Sequence, residues 1–390
     1  MYYVGLDVSL EKHDCCILDA KLKTISSFIV PNHSAGFTLL DDTLASLACS
    51  DEIVIGLEAT GIYGDNLIDF LRRKGYDVHT INPLLSKKHQ SATTLRKTKT
   101  DKSDARNIAL TIAETDFQSD LPVSYHISEL KSLCRARFSA VKDRSALKNR
   151  VKRLVVKLFP ELLNEFSDLF GASGMALLKK YPSARSLASC HIDTLSDLLH
   201  NASRGAFGRD KAVQIRDLAK KSVGVHSQAA VMELGMYLDR IAMLDSQIAD
   251  FEAEIKRIMV QLDSPILSVK GIGYVLGAMI LSEIGDIHNF ASPDKLLAFA
   301  GAEPSIYQSG NFTPSSGKMV KRGSPFLRWA LFQAAGYVPH YSSVFSRYYA
   351  KKLSEGKPAA VVRSHIVKKL VRVIFAILSH YSSFIDQFPA

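Results

Sequence analysis

The sequence predicts an α/β domain at its amino-terminal end, followed by a region that is almost wholly helical. Short β-branched and aromatic runs alternate with helical patterns over roughly the first 120 residues. From about residue 128 onward, apolar residues recur at helical spacing instead. The length agrees with this division, because 390 residues correspond to two or three domains of about 100–200 residues each.

The α/β region predicts five strands. Three runs form an opening antiparallel meander and two later runs follow helices: Tyr2–Val8, Asp14–Leu18, Thr24–Val30, Glu52–Leu57 and Asp77–Ile81. Helical patterns occupy residues 34–47, 63–74, 84–91 and 103–115. The order β-β-β-α-β-α-β followed by helix is that of a ribonuclease-H-type sheet. In such a sheet the first and fourth strands are neighbours.

Two long helical patterns dominate the middle of the chain. In the second, Leu234, Ile241, Ile248, Ile255 and Leu262 repeat every seven residues, and an apolar residue lies three places after each of the first four. This pattern predicts a coiled coil, formed within the chain or between subunits. The predicted segments are an α/β domain at 1–120, a coiled-coil region at 121–263 with an insertion near 167–225, a helical domain at 264–340 and a basic helical tail at 341–390.

The charge balance points to a polyanionic partner. The net charge is +10, and residues 131–157 hold ten basic residues but one acid, Asp143. A stripe of this density favours nucleic acid, although a solvated helix face is the alternative. The sequence shows no pattern typical of a membrane span or a signal peptide, so we expect a cytoplasmic protein. The spacing of the five cysteines predicts neither a disulfide framework nor a zinc site.

Four acids of the first domain form a candidate metal site. Asp7 ends the first predicted strand, Glu58 follows the fourth, and Asp101 and Asp104 stand at the start of a helix. Four carboxylates held together repel one another, and two Mg2+ ions about 4 Å apart would offset that repulsion and activate a phosphodiester. The alternative is that they are surface acids, with Asp101 and Asp104 favoured by the helix dipole alone.

Several sequence blocks resemble a known enzyme family. The strings GLDVSLEKHD (5–14), GLEATGIYGDNL (56–67), INP (81–83) and LRKTKTDKSDARNIA (95–109) resemble the RuvC-like domain of DEDD-type transposases of the insertion sequence 110 family. SVKGIGYVLGAMILSEIGDIHNF (268–290), LLAFAGAEPSIYQSGNF (296–312) and KRGSPFLRWALFQAA (321–335) resemble the serine domain of the same family. The fold expected from the resemblance is a RuvC-like domain, a helical coiled-coil region and a mostly α-helical serine domain.

The resemblance implies a mechanism and a set of partners. It assigns metal binding to Asp7, Glu58, Asp101 and Asp104, with Mg2+ as the metal and Mn2+ as the alternative. It assigns the nucleophile to Ser309, in the string Tyr307-Gln308-Ser309-Gly310. It further implies donor and target DNA, a noncoding bridge RNA, and a homo-oligomer in which one subunit's RuvC-like domain acts with another's serine.

Ser309 is singled out by the resemblance alone. On the residues themselves Ser305, Ser315 and Ser316 are equal candidates, and the phenol of Tyr307 is a further one. A serine nucleophile would leave a phosphoserine that preserves the energy of the phosphodiester, so that DNA can be rejoined without ATP. Gly310 would permit a tight loop that exposes the hydroxyl.

Basic residues near these motifs are the predicted nucleic-acid contacts. They flank the acids, belong to the basic stripe at 131–157 or come after Ser309 in the sequence: Arg96, Lys97, Lys99, Arg135, Arg137, Lys142, Arg144, Lys148, Arg150, Lys152, Arg153, Lys318, Lys321, Arg322 and Arg328. Because the stripe contains few aromatic residues, it suits tracking of a duplex backbone better than stacking on single-stranded bases.

Other functions remain open from the residues alone. A metal-dependent junction-resolving endonuclease would use the same four acids with water as its nucleophile. A nucleic-acid-binding scaffold with a degenerate catalytic domain would need none of them. A sugar-kinase or actin-like protein also opens with a Gly-x-Asp strand, but it requires glycine-rich phosphate loops in a second such domain, and the sequence contains none.

Overall fold

The computed structural model describes residues 1–58, 63–81, 101–114, 125–303 and 319–386. The chain divides into two compact units, Met1–Val123 and Ser124–Ala390. The finer division into four segments stays a prediction. Within the described ranges, no helix is both long enough and apolar enough to cross a membrane.

The first unit contains a five-stranded mixed sheet. Its strands are β1 (Tyr2–Val8), β2 (Lys12–Leu18), β3 (Thr24–Pro31), β4 (Ile53–Glu58) and β5 (Asp77–Ile81). Their order is β3-β2-β1-β4-β5, with β1 antiparallel to β2 and parallel to β4. The predicted contact between the first and fourth strands is therefore confirmed, as is the α/β class. The RuvC-like assignment stays a prediction.

Helices cover both faces of this sheet. On one face, α1 (Ser34–Ala45) and α2 (Asp65–Arg73) enclose a core with the even-numbered residues of β1, which include Val4 and Leu6. On the other face, α3 (Asp101–Glu114) packs against Cys16 and Leu18 of β2. The strand residues alternate between these two cores because successive side chains point to opposite faces. The helix predicted at 84–91 lies outside the described residues.

Two glycines let α3 lie directly on the sheet. A Cβ atom on Gly5 would lie 2.0 Å from the carbonyl oxygen of Ala105 and 2.5 Å from the amide nitrogen of Ala109. A Cβ atom on Gly56, opposite Gly5 in the β1–β4 pairing, would lie 2.8 Å from Cγ2 of Ile112. Glycine in a strand marks such a close approach of another backbone.

The substitution Gly5→Ala tests this packing. Because the added methyl group would meet the backbone of α3, which cannot rotate away, we expect a loss of about 3 kcal/mol in the free energy of unfolding. Urea denaturation measures that loss. Gly64→Ala is the matched control, since a Cβ atom there would lie 3.6 Å from its nearest neighbour, Val8. Equal midpoints for the two variants would contradict the proposed packing.

The second unit is helical. In chain order its helices are α4 (Tyr125–Leu158), α5 (Ala172–Lys180), α6 (Ala184–Ala188), α7 (Ile192–Ser203), α8 (Arg209–Lys220), α9 (Gln228–Leu262), α10 (Tyr274–Ile284), α11 (Pro293–Phe299), α12 (Pro325–Tyr341), α13 (Ser343–Ser354) and α14 (Ala359–Ser379). The predicted insertion near 167–225 is thus a group of short helices.

The two long helices, α4 and α9, pair antiparallel within one chain. Arg137 lies 2.6 Å from Glu252, and Arg144 lies 2.5 Å from Asp245. The partner numbers fall along α9 as they rise along α4, which fixes the antiparallel direction. The heptad residues Leu234, Ile241, Ile248 and Ile255 are all buried. The continuous helix at 228–262 agrees with the heptad pattern, whereas a supercoil stays a prediction.

Each end of this helix pair has its own core. At one end, Leu147 and Val151 of α4 pack with Leu195 and Ile215 of the short helices α7 and α8. At the other end, Ile255 of α9 joins a core built from α10, α12 and α14. Three apolar residues of α14, Ile366, Leu370 and Ile374, are fully buried there. The predicted tail is therefore part of the core of this unit.

Asp386 attaches the final described residues to the start of α13. Its carboxylate accepts hydrogen bonds from the Ser342 hydroxyl at 2.6 Å and from the backbone amides of Ser343 and Val344, each at 3.2 Å. Lys270 lies 3.5 Å away. Burial opposes ionisation, but the hydrogen bonds outweigh it and lower the pKa of Asp386 to about 2.

This lowered pKa predicts a pH-dependent contribution to stability. Because the ionised form is favoured in the folded state, the contribution is complete above the unfolded pKa of about 3.9 and is lost as the pH falls toward 2. We expect Asp386→Asn to lower the free energy of unfolding at pH 7 by about 2 kcal/mol, as for a hydrogen bond to a charged group. Urea denaturation between pH 7 and 3 should show this difference shrinking. A constant difference would contradict the assignment.

Candidate active site

Asp7 and Glu58 lie at the same edge of the sheet. They come at the carboxyl ends of β1 and β4, one residue beyond the paired Leu6 and Leu57. Paired residues of parallel strands point to the same face. Both carboxylates therefore belong to the face that α3 covers, and both are partly exposed.

The start of α3 lies toward the same edge. Gly5 of β1 lies beneath Ala105 and Ala109, whereas Tyr3, earlier in the strand, packs with the cluster that contains Ile112. The helix thus runs against the strand, and its first turn is directed toward Asp7. That turn carries Asp104, which is partly buried, and begins at Asp101.

The donor set suits a hard divalent cation, because carboxylate oxygens are the ligands that Mg2+ prefers in proteins. Three predicted acids with described side chains, Asp7, Glu58 and Asp104, come from the three elements that converge on this edge. The side chain of Asp101 lies outside the description. Among the described side chains, no group of three His, Cys, Asp or Glu residues is close enough to hold a metal ion. The metal site stays a prediction.

The structure adds an acid that the sequence argument missed. Asp14 of β2 stands directly opposite Asp7 in the antiparallel pairing, and its side chain is 16% exposed. Lys12 lies 3.6 Å from its carboxylate. Like charges directly opposite on one face destabilise a sheet. Asp14 therefore increases the negative potential at this edge. The only available signal was the register of the first two strands, which the sequence leaves open.

Backbone hydrogen bonds join the described residues that precede the segment of Ser309 to those that follow it. Ser309 and Lys318 lie outside the described residues, as do Arg96, Lys97 and Lys99. The junction, which we call the neck, consists of residues 299–303 and 320–324. Backbone amides of Val320, Lys321 and Ser324 donate to carbonyl oxygens of Glu303, Gly301 and Phe299 at 2.9, 3.2 and 2.9 Å.

The neck depends on unusual backbone geometry. Gly301 and Gly323 have φ angles of 62° and 111°, and Lys321 adopts a left-handed φ of 53°. A Cβ atom on Gly323 would lie 2.0 Å from the carbonyl oxygen of Phe299. The guanidinium of Arg328 donates to the carbonyl oxygen of Ala300 at 3.3 Å. Such strain persists when the surrounding structure enforces it, so the two ends of the serine segment are held in a defined position.

Comparisons with known proteins match both the region of the predicted acids and the region of Ser309. Residues 4–160 match a DEDD-type IS110 family model described as "Transposase", and residues 263–350 match one described as "Transposase IS116/IS110/IS902 family". Together the matches cover more than half of the chain. The chain belongs to the IS110 family of transposases. The first match spans all four predicted acids, and the second spans Ser309 and the neck.

Curated relatives, two of them aligned over nearly the whole chain, support the same conclusion. The IS117 mini-circle protein of Streptomyces coelicolor is 23% identical over 99% of this chain and 95% of its own length. The IS116 protein of Streptomyces clavuligerus is 25% identical over 96% of this chain and 94% of its own. The "Transposase for insertion sequence element IS1111A" of Coxiella burnetii is 30% identical over 30% of this chain. The protein is thus a DNA-cleaving and rejoining enzyme with DNA as its partner, and a DEDD domain implies dependence on a divalent metal in general.

A buried carboxylate supports the neck of the transposase. Glu283 of α10 is 4% exposed and accepts two hydrogen bonds from Arg135, at 2.7 and 3.1 Å. It also accepts one from the hydroxyl of Ser324, the last residue of the neck, at 2.7 Å. The Arg135 guanidinium lies 4.7 Å from the ring centre of Phe326. Glu283 therefore joins α4, α10 and the start of α12.

We expect Glu283→Gln to destabilise the transposase more than Glu252→Gln does. Both acids pair with an arginine of α4, but the Glu252 side chain is 41% exposed and the Glu283 side chain 2%. Loss of a buried, hydrogen-bonded charge should cost about 3 kcal/mol of unfolding free energy, against about 0.5 kcal/mol for an exposed pair. Thermal or urea unfolding measures both variants. A larger loss in Glu252→Gln would refute this ranking.

The basic stripe of α4 divides into two groups. Arg135, Arg137 and Arg144 form ion pairs within the unit. Lys148 lies 5.0 Å from the ring centre of Phe170. A second group, Lys142, Arg150, Lys152 and Arg153, is exposed, although Arg150 lies 5.9 Å from the ring centre of Tyr237 and Lys152 lies 6.0 Å from that of Phe170. The predicted nucleic-acid contacts of the stripe stay untested, but the exposed group has more freedom to reach a phosphate than the three paired arginines.

Proposed function

We propose that this transposase cuts and rejoins DNA with a Mg2+-dependent acid quartet and a serine nucleophile. The quartet is Asp7, Glu58, Asp101 and Asp104, and the nucleophile is Ser309. The observation that carries the proposal is the convergence of β1, β4 and the first turn of α3 at one edge of the sheet. These elements supply carboxylates from four sequence positions that the DEDD family match spans.

The quartet would bind the metal and the scissile phosphate together. Bound there, Mg2+, or Mn2+ in its place, would supply Lewis-acid stabilisation of the phosphoryl group in the transition state. Asp7 and Glu58 are placed by strands and Asp104 by a helix, so the fold sets the backbone positions of three ligands before the metal binds. Asp14, opposite Asp7, would raise the affinity of this edge for cations through its charge.

Ser309 would perform the covalent step. Its Oγ atom forms a bond to phosphorus while the bond from phosphorus to one DNA oxygen breaks, and that oxygen leaves as a hydroxyl. The proton of Ser309 passes to a carboxylate of the quartet, and we assign to the same carboxylate its delivery to the leaving oxygen. Attack by a hydroxyl of another strand on the phosphoserine then releases Ser309 and joins the DNA. The neck supports this role because it fixes the base of the serine segment.

We further propose a guide RNA and an oligomer. The exposed basic group of α4 would track the backbone of a duplex, which includes the A-form helix of a bridge RNA. The quartet and Ser309 belong to separate compact units. A homodimer or homotetramer would therefore allow the acids of one subunit to act with the serine of another, as the family resemblance implies.

The type of product distinguishes a transposase with a serine nucleophile from a junction-resolving nuclease. Purified protein would be incubated with Mg2+, RNA from the element, DNA that carries the joined element ends, and target DNA. We expect recombined strands, which sequencing across the new joints identifies. Nicked strands with hydrolysed ends and no new joints would instead favour water as the nucleophile and overturn the proposed mechanism.

A further inference from the structure

A groove lined by cations lies on the carboxyl-terminal helices, outside the predicted contacts. One hollow is lined by Tyr348 of α13 and by His365, Lys368, Lys369 and Arg372 of α14. Among the described residues that line this hollow, none carries a carboxylate. Lys368 and Arg372 also line a second hollow beside α11, so the two hollows are adjacent. We call the two together the tail groove.

The fold fixes three cations, Lys368, Lys369 and Arg372, and the imidazole of His365 on one face of α14. His365, Lys368, Lys369 and Arg372 follow the spacing i, i+3, i+4 and i+7, which places them along about 10 Å of helix. The opposite face is held in the core by buried residues, which include Ile366 and Leu370. The helix therefore cannot rotate, and it presents the cations as a row.

Neighbouring charges strengthen the positive potential of the groove. Burial lowers the pKa of His365, and the charges of Lys352, Lys357 and Lys368 lower it further, against the opposite effect of Glu355, which pairs with Lys352 and Lys357. Lys369 lies 4.7 Å from the ring centre of Tyr348, and burial lowers its pKa as well. A group of cations that repel one another in this way is stabilised by a bound anion.

The second hollow leads to the neck. Its lining includes Asp294 and Leu297 of α11 together with Glu303. Glu303 is the residue at which the neck passes into the serine segment, and its carbonyl oxygen accepts the hydrogen bond from Val320. Asp294 lies 3.8 Å from Arg372 and partly balances its charge. The cations of the tail groove thus all belong to α14, and the end of the groove at the neck carries the carboxylates of Asp294 and Glu303.

We propose that the tail groove binds backbone phosphates of the DNA strand next to the phosphodiester that Ser309 attacks. The location beside Ser309 rests on the proposed function, whereas phosphate binding rests on the groove itself. DNA is favoured over RNA because the groove reaches Glu303, the last described residue before the segment that carries the proposed nucleophile. A row of about 10 Å spans two to three phosphates of one strand.

Binding measurements in EDTA test the groove without any chemistry. Fluorescence anisotropy would follow full-length protein on a duplex DNA over a series of salt concentrations. We expect Lys368→Ala/Arg372→Ala to bind about tenfold more weakly at 0.15 M salt. The slope of log K against log salt should decrease in magnitude by about 1.8, because each lost phosphate contact removes about 0.9.

A matched variant controls for net charge. Lys351→Ala/Arg363→Ala removes two exposed cations from the same two helices, outside the lining of the groove. Arg363 is nine residues from Arg372 and so lies on the opposite side of α14. We expect the slope of log K against log salt for this control variant to stay near that of the wild type. Equal slopes for the two double variants would overturn the inference, as would a loss confined to an RNA duplex.

Serine adducts separate this inference from the proposed function. If the wild type forms the adduct and the groove variant binds and reacts like its control, the inference fails and the proposed function stands. If the wild type forms no adduct under any condition, the proposed function fails. The EDTA binding series then still decides whether the groove is a DNA site.

Discussion

Replacing Asp7 by Asn is expected to reduce DNA cleavage by at least about a thousandfold. Asn has nearly the same shape, so the end of β1 should keep its structure, but it lacks the charge that a divalent cation requires. A metal ion contributes several kcal/mol to stabilisation of the transition state, and each 1.36 kcal/mol corresponds to a factor of ten in rate. Cleavage of a labelled junction DNA in Mg2+ measures the effect.

Unfolding experiments on the same variant distinguish a loss of metal binding from a loss of folding stability. Without metal, Asp7→Asn should be as stable as the wild type or more so, since it removes a charge that faces Asp14 and adjoins Glu58. Mg2+ should raise the unfolding temperature of the wild type but not that of the variant. Asp69→Asn, on α2 at the other face of the sheet, is the control and should keep both properties. Full cleavage by Asp7→Asn would exclude the acid quartet as the catalytic site.

Replacing Ser309 by Ala is expected to abolish covalent protein–DNA adducts and strand joining. The variant lacks the atom that bonds to phosphorus, so no residual covalent route remains through this position. DNA binding should stay within about twofold, because a hydroxyl adds little to a backbone-dominated affinity. Denaturing gels with labelled DNA detect the adduct, and anisotropy measures binding.

Nearby hydroxyl groups provide the controls for that experiment. Ser305→Ala and Tyr307→Phe change residues of the same segment, and both variants should keep adduct formation within about tenfold. If Ser309→Ala still forms adducts and Tyr307→Phe does not, the nucleophile is the phenol. If Ser309→Ala still cuts and only the joints disappear, water can replace the serine in the first step.

The sheet could be predicted because its local and long-range signals agree. The strands are short runs with β-branched or other apolar residues, and the order of strands and helices places β1 beside β4. The close approach of α3 could not be predicted. A glycine in a strand indicates that something lies near, but its partner is set by tertiary packing. Only the position of α3 in the structure shows why glycine is needed at residues 5 and 56.

For the basic residues of α4, the sequence predicted the helix but not the ion pairs. Helical spacing identified the stripe of α4, but spacing within one helix cannot tell which cations will find an acid on another. Arg135 faces Glu283, which lies 148 positions further along the chain. Likewise Asp14 became an active-site neighbour through strand register. The tail groove went unpredicted because its lining comes from α11, α13 and α14 together.

The most direct measurement is the identification of the residue that carries DNA after reaction. Wild-type protein, Asp7→Asn and Ser309→Ala would be incubated with Mg2+, element RNA and junction DNA, then denatured, digested and analysed by mass spectrometry. We predict a nucleotide linked to Ser309 in the wild type, absent from both variants and absent in EDTA. An adduct on Ser309 that survives in Asp7→Asn or in EDTA would contradict joint action of the acids and the serine on one phosphate.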